Sequence, residues 1–143
     1  MKSKPVEYST SATIGASPDR VWKILTDAAG YRDWNPEIIA VDGEFGSGSA
    51  VAHVRLGDGA VRKVAQRVSL EAPMRMQWLS GLPLGLFVGR RTFTVNPVAG
   101  GSEFRMHLHM SGLLCSLILK SVGNRQPEID KFASALKRRA EAA

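Results

Sequence analysis

The sequence predicts an α+β fold in which a curved antiparallel sheet of six to seven strands wraps around a long, kinked C-terminal helix. Three observations support this. Residues 6–14 alternate apolar and polar side chains and lead directly into a short helical pattern. Further alternating runs, separated by glycine turns, occupy residues 38–110, and apolar residues then recur at helical spacing from residue 113 onward. This order of elements leaves room for a cavity between the sheet and the closing helix.

The first helix is predicted to begin near Pro18, because three independent features meet there. The hydroxyl of Ser17 can accept a hydrogen bond from a free backbone N–H, and proline suits the first helical turn. Asp19 lies at the positive end of the helix dipole. Gly30 is expected to end this helical region, with one or two short helices before the next strand. Its apolar stripe comprises Val21, Ile24, Leu25 and Ala28.

The middle of the chain is predicted to be a run of strands. An aromatic loop at residues 31–36 precedes them, since Pro36 moves Asn35 out of the helical region. Period-two patterns then predict strands at residues 38–44, 49–56, 61–70, 74–80, 87–95 and 104–110.

The C-terminal part is predicted to be helical but broken. Apolar residues recur at steps of three and four in residues 113–122 and again in residues 126–143. Gly123 and Pro127 interrupt the pattern between them. We therefore expect a kinked or divided closing helix.

Size and charge exclude several classes of protein. A chain of 143 residues, 44% hydrophobic and 22% charged, is expected to form one domain spanning residues 1–143. Its net charge of +6 invites a nucleic-acid partner, but the basic residues are dispersed and no nucleic-acid-binding motif accompanies them. No apolar run approaches a membrane span of about 20 residues, and the N-terminus lacks a signal-peptide core. We expect a cytoplasmic protein with neither a nucleic-acid partner nor stable membrane insertion.

Several motifs carry a family resemblance. They are the helix start Ser-Pro-Asp-Arg-Val-Trp at residues 17–22 with Leu-Thr-Asp at 25–27, Tyr-x-x-Trp-Asn-Pro at 31–36, Arg-Thr-Phe at 91–93, and the final helix with Phe132, Leu136, Lys137 and Glu141. The chain resembles the START-like (SRPBCC) superfamily, in the polyketide cyclase/dehydrase-type branch that shares the helix-grip fold of the major birch-pollen allergen. The resemblance covers essentially the whole chain. It implies a sheet gripping the C-terminal helix around an internal ligand site. Such folds host transporters, cyclases, hydrolases, hormone receptors and co-chaperones, so function must be argued from the site.

The apolar phases of the strands predict which side chains would line that hollow. Methionine and aromatic side chains adapt to irregular apolar guests, and ligand sites are mostly apolar with few polar anchors. The alternative is that the same side chains fill a solid core. Tyr31 and Leu84 are expected at the opening with Trp34. The candidate cavity residues are Trp34, Gln66, Val68, Met76, Trp78, Phe87, Arg91, Phe93, Phe104, Met106, Leu108 and Met110.

Two polar residues share the inward phase, Gln66 and Arg91. Because an unpaired buried charge is costly, an inward Arg91 should meet a carboxylate, a cluster of carbonyl groups or the acidic group of a ligand. It is the best single candidate anchor. The alternative is that a bulge beside Gly89 turns Arg91 to solvent.

The sequence contains no recognisable catalytic constellation. His107 and His109 fall on the face opposite the apolar residues of their strand, so we expect no metal site there. His53 fits either face of its strand. No carboxylate falls on the inward phase of the central strands, and no nucleophile elbow, phosphate loop or dinucleotide fingerprint indicates a cofactor. Cys115 has no partner cysteine and is expected to be a small buried side chain.

These observations favour a carrier or sensor of a small hydrophobic molecule, lipid-like or polycyclic. The first alternative is a cyclase/aromatase or hydrolase that uses His53 or Arg91 with a bound water. The second is a protein-interaction module that presents the outer face of the sheet. An open cavity with apolar walls would favour binding, one holding His53 beside Arg91 or Glu71 would favour an enzyme, and a filled interior would favour the module. The apolar loop at residues 81–86 is expected to act as a lid, to be covered, or, with residues 113–119, to contact a membrane or the second subunit of a homodimer.

Overall fold

A computed structural model describes residues 4–142 of the chain and has the predicted α+β architecture. A single sheet of seven antiparallel strands curls into a half-barrel, and the C-terminal helix lies against its concave face. Helix α3 contacts strands β1 and β7 and the first helix, α1. The elements are β1 (Val6–Ile14), α1 (Pro18–Thr26), β2 (Ile38–Glu44), β3 (Ser49–Arg55), β4 (Val61–Glu71), β5 (Arg75–Leu82), β6 (Phe87–Val98), β7 (Gly101–Ser111), α2 (Cys115–Val122) and α3 (Gln126–Glu141), with short 3₁₀ segments at Ala28–Asp33 and Phe45–Ser47.

The strand order is β1-β7-β6-β5-β4-β3-β2, so β1 and β2 form the two edges. The pairing between β4 and β5 stops early. It runs from Glu71 opposite Arg75 to Arg67 opposite Leu79, while β4 begins at Val61 and β5 continues to Leu82. The sheet is therefore split between these two strands at one end.

The predicted start of α1 is confirmed. The Oγ of Ser17 accepts a hydrogen bond from the backbone N–H of Arg20 at 3.2 Å, and Pro18 lies in the first turn. The side chain of Arg20 then holds the end of α3, donating from Nε to the carbonyl oxygen of Ala140 at 2.6 Å and from Nη2 to that of Ala142 at 2.9 Å. The backbone N–H of Gly15 donates to Glu141 Oε2 at 2.7 Å. The β1–α1 region is thus joined to the end of α3.

The expected break in the C-terminal helix is also confirmed. Helix α2 ends at Gly123, whose φ of +77° is a left-handed conformation that favours glycine, and α3 begins three residues later. The start of α2 is fixed to the loop after β5, since the N–H of Leu114 donates to the carbonyl oxygen of Leu86 at 2.8 Å. Gly112 makes this approach possible, because a Cβ there would lie 2.6 Å from the same oxygen. None of the helices within residues 4–142 is both long enough and apolar enough to cross a membrane.

One half of the interior is a solid aromatic core. Phe132 of α3 is fully buried at its centre and meets the rings of Tyr31, Trp34, Phe93 and Phe104 at centroid distances between 5.6 and 6.0 Å. Trp78 packs against Phe93 at 4.9 Å. Such ring pairs add to the free energy already gained by burying their apolar surface. This half leaves no room for a guest.

Candidate ligand cavity

The other half of the concave side holds a cavity that is partly open to solvent. A cavity of about 470 Å³ lies between the concave face of the sheet and helix α2. This volume is within the usual range of small-molecule sites, roughly 300–1,000 Å³. Its lining residues are Val54, Leu56, Arg62, Lys63, Val64, Ala65, Gln66, Ser80, Gly81, Leu82, Phe87, Gly89, Arg91, Leu108, Met110, Ile118, Val122 and Arg125.

The boundary between the aromatic core and the cavity can be located on strands β6 and β7. On β6 the inward side chain of Phe93 belongs to the core, whereas Phe87 and Gly89 line the cavity, and Arg91 lies between them. On β7 the change falls between Met106 and Leu108. Gly89 contributes space, because a Cβ there would lie 3.0 Å from the Oγ of Ser80 and 3.4 Å from the ring of Phe87.

A buried cluster of three charged side chains, Glu37, Arg91 and Arg125, closes the inner end of the cavity. Arg91 donates from Nη1 to Glu37 Oε1 at 2.6 Å and from Nη2 to Oε2 at 2.9 Å. Arg125 donates from Nη2 to the same Oε2 at 2.7 Å. The Glu37 side chain is fully buried, and the side chains of Arg91 and Arg125 are 9% and 4% exposed. Both oxygens of the carboxylate are therefore occupied by guanidinium groups.

The cluster keeps Glu37 ionised. Burial alone would raise the pKa of this carboxyl group, but the charges of Arg91 and Arg125 and their hydrogen bonds outweigh burial and lower the pKa. A carboxylate held in this way is a poor general acid, because it does not carry a proton near neutral pH.

The local fold explains why Glu37 points inward. The Oδ1 of Asn35 accepts hydrogen bonds from the backbone N–H groups of Glu37 at 2.9 Å and Ile38 at 2.8 Å, which fixes the chain as it enters β2. Arg125 lies in the short connection between α2 and α3, where the chain changes direction. The carbonyl oxygen of Arg55 lies 3.4 Å from its Nη2.

The structure resolves the orientation of Arg91. Its side chain faces inward and meets a carboxylate, and β6 keeps an unbroken register there, with Arg91 opposite Trp78 and Leu108. No bulge turns it to solvent. Its guanidinium carbon also lies 5.7 Å from the centre of the Trp78 ring.

The twelve candidate residues fall into two groups. Five line the cavity: Gln66, Phe87, Arg91, Leu108 and Met110. The other seven lie outside this lining, in or against the hydrophobic core: Trp34, Val68, Met76, Trp78, Phe93, Phe104 and Met106. The aromatic members of this group face other rings: Trp34, Phe93 and Phe104 contact Phe132, and Trp78 contacts Tyr31.

Of the residues expected at the opening of the cavity, Tyr31 is buried in the core and Leu84 is exposed. Tyr31 is fully buried, with its hydroxyl donating to the carbonyl oxygen of Leu25 at 2.5 Å, so it lies in the core. Leu84 is 94% exposed at the tip of the loop after β5, with a φ of +61°. Leu82, Leu113 and Leu117 are also largely exposed, and Leu82 lines the cavity rim.

The histidines lie on the outer face of the sheet. His53 Nε2 is 2.8 Å from Asp42 Oδ2, and His109 Nδ1 is 3.1 Å from Glu7 Oε1. His53 alternates with buried Ala52 and Val54, which resolves the phase of its strand. An enzyme that combines His53 with Arg91 in one cavity is therefore contradicted by the fold. Within residues 4–142, no three His, Cys, Asp or Glu side chains are grouped closely enough to hold a metal ion.

Two features of the cavity wall concern access. The split between β4 and β5 leaves a groove whose lining shares Gln66, Ser80 and Leu82 with the cavity, so it provides a side entrance. Across the cavity, Arg62 Nη2 donates to Ser121 Oγ at 2.8 Å and ties β4 to helix α2.

Glu37 and Arg125 were not identified from the sequence. A weak signal existed for Glu37, because an inward Arg91 requires an acidic partner and Glu37 immediately precedes an apolar strand. For Arg125 the only signal was its position next to the break between two apolar helical patterns.

A curled antiparallel sheet that holds a helix and leaves a mostly apolar cavity defines a ligand-binding class of α+β domain. The chain belongs to the polyketide cyclase / dehydrase and lipid transport family, whose model matches residues 5–141. This confirms the resemblance seen in the sequence. No curated protein matches the chain.

Solved structures show the same fold at low sequence identity. The Zhui aromatase/cyclase from Streptomyces sp. R1128 is 18% identical, with a TM-score of 0.70 over 96% of this chain and 93% of that one. A START superfamily protein from Mycobacterium smegmatis is 17% identical, with a TM-score of 0.62 over 96% and 97% of the two chains. The di-domain aromatase/cyclase BexL of the BE-7585A biosynthetic pathway is 17% identical, with a TM-score of 0.71. The match covers 97% of this chain and 51% of BexL.

Proposed function

We propose that the protein binds a small hydrophobic molecule in the cavity beneath α2 and acts as its carrier or sensor in the cytoplasm. The observation that supports this proposal most directly is the cavity and the composition of its wall. A cavity of about 470 Å³ lies beside an interior that is otherwise densely packed with aromatic side chains. Its wall combines mostly apolar side chains with a few inward-facing polar ones, which is the composition typical of small-molecule sites.

The lining supports the kind of guest proposed. Apolar side chains from β3, β6, β7 and α2 form most of the wall, and burying apolar ligand surface contributes about 25 cal/mol per Å² before ordering costs are subtracted. Leu108, Met110 and Phe87 would contact the apolar body of the ligand. Gln66 and Arg91 would orient its polar end.

A cyclase-type reaction in the same cavity is the alternative, and the aromatase/cyclase structures that share the fold give it a reason. The polar residues in the lining are Arg62, Lys63, Gln66, Ser80, Arg91 and Arg125. Cationic groups of this kind can stabilise a developing enolate. Neither a carboxylate nor an imidazole lines the cavity within residues 4–142, so a general base would have to come from the ligand or from water. The lining favours binding over catalysis.

A pair of variants on one strand tests the proposal. Val64 lines the cavity, and Val61 lies three residues earlier on β4, half-exposed and outside the lining. In Val64→Phe the added ring would occupy the cavity, whereas in Val61→Phe it would enter solvent. We expect the neutral fluorophore N-phenyl-naphthylamine to bind the wild type and Val61→Phe equally, and Val64→Phe at least about tenfold more weakly. Equal binding by all three folded proteins, or none by the wild type, would contradict the proposal.

A further inference from the structure

We infer that the ligand is a lipophilic monoanion whose carboxylate binds at the inner end of the cavity, against Arg125 and Arg91. This inference rests on the proposed function, because it specifies the chemical class of the bound molecule.

The first argument is charge. Two guanidinium groups, those of Arg91 and Arg125, are buried around a single carboxylate, that of Glu37. No other carboxylate within the described residues forms an ion pair with either arginine, and the acidic residue three positions after Arg125, Glu128, pairs instead with Lys131 at 3.6 Å. One positive charge is therefore left without a partner inside the protein. A buried charge is costly unless it is paired, so the site lacks one negative charge.

The second argument is hydrogen bonding. The Nη1 of Arg125 is buried and has no hydrogen-bond partner within the described part of the chain. Glu37 does not supply one, because its three hydrogen bonds come from Nη1 and Nη2 of Arg91 and from Nη2 of Arg125. Buried polar groups are nearly always satisfied, and an unsatisfied one in a native structure often marks an absent ligand or ion.

The third argument is the composition of the cavity wall. Arg91 and Arg125 both line the cavity, which continues away from them between apolar side chains such as Leu108, Met110 and Ile118. Arg62, the remaining charged lining residue on the inward phase of β4, is also cationic, and no acidic residue within residues 4–142 lines the cavity. A molecule with an anionic end and an apolar body therefore matches the wall along its length, whereas a lipophilic cation would meet like charge.

A carboxylate fits better than a phosphate monoester. The planar fork of a guanidinium group matches the two oxygens of a carboxylate, and charge-assisted hydrogen bonds of this type are the strong ones. A single negative charge also neutralises the cluster, whereas a doubly ionised phosphate would leave an excess negative charge in a buried place.

The test compares decanoate, decanol and decylamine as competitors of N-phenyl-naphthylamine at neutral pH. The three share one chain length and differ in the charge of the head group. We expect decanoate to bind at least about tenfold more tightly than decanol, since a hydrogen-bonded charge contributes that much or more. Decylamine should bind the weakest. Decyl phosphate, as a fourth competitor, should bind less tightly than decanoate.

Arg125→Gln identifies the residue responsible. The variant keeps the neutral pair between Glu37 and Arg91, so we expect it to fold, and it should reduce the preference for decanoate over decanol to about twofold or less. Arg90→Gln is the matched control, because it removes a cation from the outer face of β6, outside the cavity lining, and should leave the preference unchanged.

The outcomes separate the two claims. If the fluorophore binds and decanol competes as well as decanoate with the wild type, the cavity binds hydrophobic molecules but the inference about charge is wrong. If decyl phosphate competes better than decanoate, the carboxylate assignment is wrong. Equal loss of the preference in Arg90→Gln and Arg125→Gln would contradict a specific role for Arg125. If the fluorophore and all competitors fail to bind, the proposed function itself is contradicted.

Discussion

Glu37, at the entry to edge strand β2, forms a two-pronged ion pair with Arg91 in β6, 54 residues away in the sequence. Because β3, β4 and β5 lie between these strands in the sheet, the pair crosses the concave side of the half-barrel. It also lies at the boundary between the aromatic core and the cavity. We therefore expect this pair to hold the curvature of the sheet as well as to shape the ligand site.

Replacing Glu37 by Gln should strongly destabilise the protein. It would leave two buried guanidinium groups without a counter-charge, and breaking a buried ion pair by removing one partner typically costs about 3–5 kcal/mol. Urea unfolding would measure the loss. Glu71→Gln is the control, because its pair with Arg75 is exposed on both sides and should be worth less than about 1 kcal/mol. Equal losses in the two variants would contradict the structural role of the cluster.

The same carboxylate should make stability depend on pH in the acid range. The pKa of Glu37 is lowered in the folded protein, and in the unfolded chain it should be about 4.3. Its stabilising contribution is then complete above the unfolded value and is lost as the pH falls through the lower folded value. The difference in unfolding free energy between the wild type and Glu37→Gln should therefore shrink on acidification below about pH 4. A difference that stays constant to acid pH would contradict the lowered pKa.

Truncating Phe132 should separate the solid half of the interior from the hollow half. Phe132→Ala removes a fully buried ring that contacts four other aromatic rings, and such truncations typically cost about 3–5 kcal/mol. Because Phe132 does not line the cavity, affinity for N-phenyl-naphthylamine in the folded variant should change by less than about threefold. Denaturant unfolding and fluorescence titration measure the two effects. A small loss of stability with a large loss of affinity would indicate that the ligand binds in the aromatic core, and would contradict the account.

Leu117→Ala serves as the control for that variant. Leu117 lies on α2 and is 62% exposed, so its truncation should change the unfolding free energy by no more than about 0.5 kcal/mol.

The hydrogen bond between Arg62 and Ser121 should slow the release of the ligand. It ties α2, which forms one wall of the cavity, to strand β4. Ser121→Ala should raise the dissociation rate of N-phenyl-naphthylamine about two- to tenfold, the range expected for one net hydrogen bond. Stopped-flow measurements of Ser121→Ala, Arg62→Gln and the double variant provide the check. If the two residues act through this bond, the double variant should release no faster than the faster single one, and strictly multiplicative effects would refute the link.

Much of the fold could be predicted from the sequence because local patterns determine it. The alternation of Phe104, Met106, Leu108 and Met110 identified the inward face of β7, and Ser17 with Pro18 located the start of α1. The extent of the cavity could not be predicted in the same way. Strand alternation shows that Phe93 and Leu108 both face inward, but not what they face. Phe93 contacts the ring of Phe132, which is distant in the sequence, whereas Leu108 lines the cavity.

The charged cluster was harder still to predict. Glu37, Arg91 and Arg125 come from a strand entry, a central strand and a helix connection, and no periodic pattern links them. Only the three-dimensional curl of the sheet brings them together. The sequence left three partners open for an inward Arg91, a carboxylate, a cluster of carbonyl groups or an acidic ligand group, and the fold gives it the carboxylate of Glu37.

The central claim is that the cavity between the half-barrel and α2 binds a hydrophobic molecule. Native mass spectrometry of the protein purified gently from its own host tests it most directly. The account predicts a second mass species heavier by one small lipophilic molecule, present in the wild type and in Val61→Phe and absent in Val64→Phe. A single unliganded mass for the wild type, unchanged after incubation with decanoate or N-phenyl-naphthylamine, would contradict it.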